Sequence, residues 1–311
     1  MRIFGSLAGR TRQVLFFTGL GMTVTFASPP LAVATDCLDT DAALKYWQPL
    51  REQATSTALP ADELALELVS CLGSPNPELR DRIGYELYTD WLRNEKLTDA
   101  TRRALLNELS RGLGDVKEAA GLKRSFSALI LAEVMRSDSN NPFMDDASRQ
   151  DLLNAAIAGL KSESDFRGLE PEIGWVHPVA HMADLLWRFA LHAETTREQA
   201  RSILDAVDSK IAPSGVSYTF NEGDRLARVV STMIRRDLVE AETIATWLDS
   251  FQTPRSMEKW SDAFQSPDGM AELHNTKQFL RALSDQLSED EIDRKIAEPL
   301  QSLVKGFTML I

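Results

Sequence analysis

Residues 76–92 read NPELRDRIGYELYTDWL, and their spacing decides the fold class. Asn76 suits the cap position of a helix, and Pro77 is already set for the first turn, so a helix is predicted to begin here. Leu79, Ile83, Leu87 and Trp91 then recur every four residues, which places all four on one face. Phe126, Ile130 and Val134 repeat the pattern, as do Val179, Met182, Leu186 and Phe189. Thr195 with Glu198 and Ser288 with Glu291 have capping-box spacing, the second just ahead of Ile292, Ile296, Leu300 and Leu303. Pro60 fits the first turn of a helix ending near Cys71, and strand signals are nearly absent.

Paired in order, these helices have first members starting near residues 39, 76, 119, 178, 221 and 255, at spacings of 37, 43, 59, 43 and 34. A two-helix period of roughly 40 residues is that of HEAT-like arrays. The expected fold is therefore all-α, a HEAT-like α-α superhelix of stacked antiparallel helix pairs. The long interval before residue 178 holds an insertion of about fifteen residues, and long loops in compact domains tend to be functional or disordered.

The first 34 residues read as an export signal, with Arg2, Arg10 and Arg12 ahead of an apolar run from Val14 to Phe26 and a small-x-small site at Ala32-Val33-Ala34. Cleavage leaves residues 35–311 as one helical repeat-like domain, periplasmic or secreted, with no stable membrane span. The whole chain carries a net charge of −12, and removing three Arg and no acids makes the remainder more acidic still. Nucleic acid is a poor partner for such a surface, because phosphate backbones are bound by concentrated Lys and Arg. Cys37 and Cys71 fall at neighbouring ends of two helices in an antiparallel pair, so a disulfide is expected in an oxidising compartment.

The candidate chemistry gathers in DFRGLEPEIGWVHPVAHMADLLWRF, residues 165–189. With Pro178 in the first turn and His177 at the cap, the side chains of His177, His181, Asp184 and Arg188 share one face, opposite the apolar stripe. Two His one turn apart can reach a common divalent metal, with Asp184 as a third ligand and Asp165 or Glu222 closing the site. The competing reading has His177 capping the helix and His181 bonded to the preceding loop, with Trp175 packed over it. Arg167 either pairs with Asp165 or holds a ligand carboxylate or phosphate, while Gly168 permits a left-handed turn. Arg80, Asp81 and Tyr85, then Lys123, Arg124 and Ser125, then Glu222, Asp224 and Arg225 all fall on first members of helix pairs. Equivalent helices of an array lie side by side, so these groups are expected to form one polar ladder with the two histidines.

The blocks LRDRIGYELYTDWL, KRSFSALILAEV, DFRGLEPEIGWVHPVAHMADLLWRFA and EGDRLARVVSTMIRRD resemble, in that order, a bacterial family known as domain of unknown function 2785. The resemblance covers roughly residues 76–240 and is most specific at Asp165, Arg167, Gly168, Gly174, Trp175, His177, Ala180, His181, Ala183 and Asp184. It implies a helical fold and carries no activity with it. The leading functional expectation is a polar groove that binds a partner protein or small ligand. The alternatives are a metal-dependent hydrolase using His177 and His181, and a purely structural scaffold. No Walker loop, dinucleotide-binding fingerprint or Cys-rich metal motif is present, which disfavours a nucleotide enzyme.

Overall fold

The computed structural model describes residues 37, 40–53, 60–114, 121–287 and 292–310. The export signal and the Ser288–Glu291 capping box lie outside them. The chain is all-α as its periodicity requires: α1 (Thr40–Gln53), α2 (Ala61–Glu67), α3 (Glu86–Arg93), α4 (Asp99–Gly114), α5 (Leu122–Asn140), α6 (Asp146–Ser162), α7 (Pro178–Leu191), α8 (Arg197–Asp208), α9 (Glu222–Arg235), α10 (Ala241–Asp249), α11 (Pro267–Gln286) and α12 (Arg294–Met309). Among the described residues no helix is long and apolar enough to cross a membrane.

Helices α3, α5, α7, α9 and α11 lie side by side, each packing on the next. Behind them α4 packs against α5, α6 against α7 and α8 against α9. The core fills the space between these two rows. Helix α7 sits at its centre and is buried at every residue from Pro178 to Leu186. That corrects the expectation of one apolar and one presented polar face: neighbours cover α7 all round, so His181 and Asp184 are interior groups.

Helix α3 is preceded by a π-helical turn, Glu78–Tyr85, where the sequence predicts ordinary α-helix. A strict four-residue repeat outruns the 3.6-residue α turn, and the wider π turn absorbs the difference. Asn76 caps it as expected, its Oδ1 accepting from the Glu78 amide at 2.8 Å. The other capping box is shifted by one residue. Thr196 and Gln199 form it, while Thr195 Oγ1 donates to the Phe189 carbonyl at 2.6 Å and secures the end of α7. The last pair also differs from the expected start near 255: Ser266 and Pro267 open α11, and the Glu272 carboxylate instead gathers the Arg255 and Ser256 amides into a turn. Cys37 and Cys71 are joined in a disulfide, as expected.

Candidate functional site

The inserted segment before α7 folds back on itself. Leu169–Glu170 (β1) and Gly174–Trp175 (β2) form a two-residue antiparallel ladder, a hairpin that the absence of strand signals did not announce. Gly174, where β2 begins, has φ 76°, a conformation that favours glycine, and a methyl group there would lie a tight 3.3 Å from Pro77 Cβ. Gly168 serves differently from the left-handed turn expected of it. Its φ is not positive, but a methyl group there would sit 1.8 Å from Phe220 Cδ2. The missing side chain is what lets Phe220 close over the loop.

Buried cations tie this loop down. Arg80 is fully buried, donating to the Ser74 carbonyl at 3.1 Å and, through Nη2, to Asp81 at 2.8 Å and the Ile173 carbonyl at 2.7 Å. Its guanidinium also covers the Phe126 ring at 4.6 Å. Burial lowers the Arg80 pKa and raises that of Asp81, each offset in part by the other's charge. Lys210 donates to the Glu163 carbonyl at 2.8 Å, and Arg124 reaches the Gly159 carbonyl at 2.9 Å and the Glu163 carboxylate at 3.7 Å. Arg167 folds back on Asp165, with Nε 2.9 Å from Oδ1 and Nη2 2.5 Å from Oδ2.

Between this hairpin, the π turn and the starts of α7 and α9 lies a cleft of about 720 Å³. Of the expected residues Asp81, Tyr85, Trp175, His177, His181, Asp184 and Arg225 line it, so two of the three polar clusters converge with the histidines, while Lys123, Arg124 and Ser125 do not line it. Arg80 and Glu222 stand behind it and hold residues that line it. Arg124, Asp165 and Arg167 line none of it, and their bonds just described are loop anchors. Asn76, Arg82, Phe126 and Phe220 also line it, none of them expected at the site from the sequence. Phe126 already belonged to a recognised apolar stripe. Phe220 carries no local signal, because its place depends on the gap at Gly168.

The two histidines use different ring nitrogens as donors. His177 occupies the cap of α7 with φ 49°, yet its ring makes no capping bond. It points toward α9, where Nε2 lies 2.8 Å from the Phe220 carbonyl and 3.3 Å from Glu222 Oε1. A carbonyl only accepts, so Nε2 carries the proton. Burial pushes Glu222 upward, but hydrogen bonds from His177 and from backbone amides outweigh it and hold the carboxyl below its ordinary range. Trp175 stacks on His177 at 5.0 Å, and not on His181 as expected.

His181 Nδ1 lies 2.8 Å from Ser125 Oγ, and that hydroxyl donates to the Val176 carbonyl. The serine proton being committed, Nδ1–H is the donor and Nε2 keeps its lone pair. Burial, reinforced by the neighbouring His177, Arg225 and Arg80, lowers the His181 pKa to about 3. The imidazole is therefore neutral at physiological pH. Among the described residues nothing hydrogen-bonds Nε2, and the residue lines the cleft.

These bonds bear directly on the expected metal triad. Asp184 is gripped by Arg225 through Oδ2 and Arg228 through Oδ1. His177 has its Nε2 proton committed to α9. Among the described residues no group of three His, Cys, Asp or Glu side chains is arranged to hold a metal ion.

Fold and site together describe a helical protein whose inserted hairpin closes one wall of a polar cleft. The family model for a protein of unknown function, DUF2785, matches residues 92–284, and the chain belongs to that family. The match ends well beyond residue 240 and begins past most of LRDRIGYELYTDWL, so the family core lies further along the chain than the resemblance suggested. No curated protein and no solved structure matches.

Proposed function

We propose that the cleft binds a small polar molecule, and that the protein works as a binding module. The observation that carries this is the His181 imidazole, which lines the cleft with Nδ1 held by Ser125 and Nε2 without a hydrogen-bond partner among the described residues. A ligand donor that replaces water at this lone pair gains about 0.5–1.5 kcal/mol net. A thermal-shift screen of small polar molecules tests the reading on wild type, Trp175→Ala and Arg225→Met. Stabilisers whose effect disappears in both variants support it; stabilisers indifferent to both overturn it. The metal-dependent hydrolase gains no support from this arrangement, since the carboxylate it needs is held by two guanidinium groups.

We read the two rows of helices as a HEAT-like array interrupted by one functional insertion, and residues 1–34 as an export signal that delivers the rest to the periplasm or the medium. Intact mass of the protein recovered after export is expected to start at Thr35, and a chain starting at Met1 would refute export by cleavage.

A further inference from the structure

Each charged side chain lining the cleft already has a partner of opposite sign. Asp81 pairs with Arg80 at 2.8 Å, Glu78 with Arg82 at 3.4 Å, and Asp184 with both Arg225 and Arg228. A ligand of net charge would have to compete with these pairs or leave its own charge uncompensated in a partly desolvated site. A neutral ligand faces neither cost. The paired groups still present unused N–H and lone-pair positions, because a guanidinium has five donors and a carboxylate about four acceptor sites.

Two further features narrow the class. The Trp175 ring is 42% exposed while its neighbour His177 is stacked against it, so the indole offers a fixed apolar platform at the mouth of the cleft. Donors (Arg225, Asn76) and acceptors (His181 Nε2, Asp81) both line the cleft. A hydroxyl both donates and accepts, so several hydroxyls on one rigid ring satisfy such a mixed set, and the C–H face of that ring suits the indole.

Resting on the binding reading above, we infer that the cleft takes a neutral saccharide, its C–H face on Trp175 and one hydroxyl donating to His181 Nε2. Calorimetric titration of the full chain with glucose, N-acetylglucosamine and their β-1,4-linked dimers tests it, with adenosine and phenylalanine as comparators. At least one sugar is expected to bind, with affinity falling about tenfold or more in both Trp175→Ala and His181→Asn. The His181→Asn amide can still donate to Ser125 but lacks the distal acceptor, and Trp175 is exposed, so neither variant depends on a lost fold for its effect. If none of the sugars binds, or if only adenosine or phenylalanine does so with the same sensitivity to the variants, the saccharide class is overturned and the binding cleft stands. Sugar binding unchanged by both variants overturns the site itself.

Discussion

His181 shows how one residue's surroundings become a measurable property. In the folded protein its pKa is about 3, against 6.5 for the free imidazole, chiefly because burial penalises the cation. Between those values the unfolded chain binds a proton that the native chain does not, so stability falls as pH falls. Above 6.5 the contribution is fully present. The slope is at most about 1.4 kcal/mol per pH unit. Glu222, whose ordinary value is 4.5, and Asp138, held at about 2, add their own losses as pH falls through the ordinary carboxylate range. Urea unfolding at pH values from about 6.5 down to about 5.5 therefore reports chiefly the histidine. His181→Asn is expected to flatten that dependence, and a variant as acid-sensitive as wild type would show that His181 is not buried neutral.

At the scale of elements, Arg80 joins the π turn to the hairpin, two segments 93 residues apart. Arg80→Met leaves the Ser74 and Ile173 carbonyls and Asp81 without their shared donor, and is expected to cost about 2–4 kcal/mol in urea unfolding. Asp165→Ala breaks a half-exposed pair within one loop and should cost about 1 kcal/mol or less. Equal losses in the two would mean that Arg80 is no more of an anchor than Arg167. This contrast also marks what was legible. Helices such as α3, α5 and α7 were readable because their apolar residues recur at helical spacing, but that spacing could not show that α7 is buried on every side. The convergence of Asp81, His177, His181 and Arg225 was readable from their common phase along the chain. The hairpin was not, since two residue pairs give no alternation to detect. Nor could spacing separate Arg80, which holds the wall, from Asp81, which forms it; that depends on which carbonyls a loop 93 residues away presents.

The whole molecule is strapped near its start by the disulfide between Cys37 and Cys71, which encloses a separation of 34 residues. Closing a loop of that length in the unfolded chain corresponds to about 4 kcal/mol in the chain-entropy account. The strap also touches the site, because the Cys71 carbonyl accepts from the Ser74 amide at 3.0 Å and the Ser74 carbonyl in turn accepts from Arg80 at 3.1 Å. Two effects can thus be separated by experiment. Cys37→Ala with Cys71→Ala is expected to lower unfolding free energy by about 3–4 kcal/mol, most of it through a less restricted unfolded state. If the bridge acts only there, amide exchange at residues 173–177 will quicken no more than global opening requires. Exchange in that hairpin accelerating beyond the global change would mean that the bond also braces the native cleft through Ser74 and Arg80. A double variant as stable as wild type would remove the strap from the account altogether.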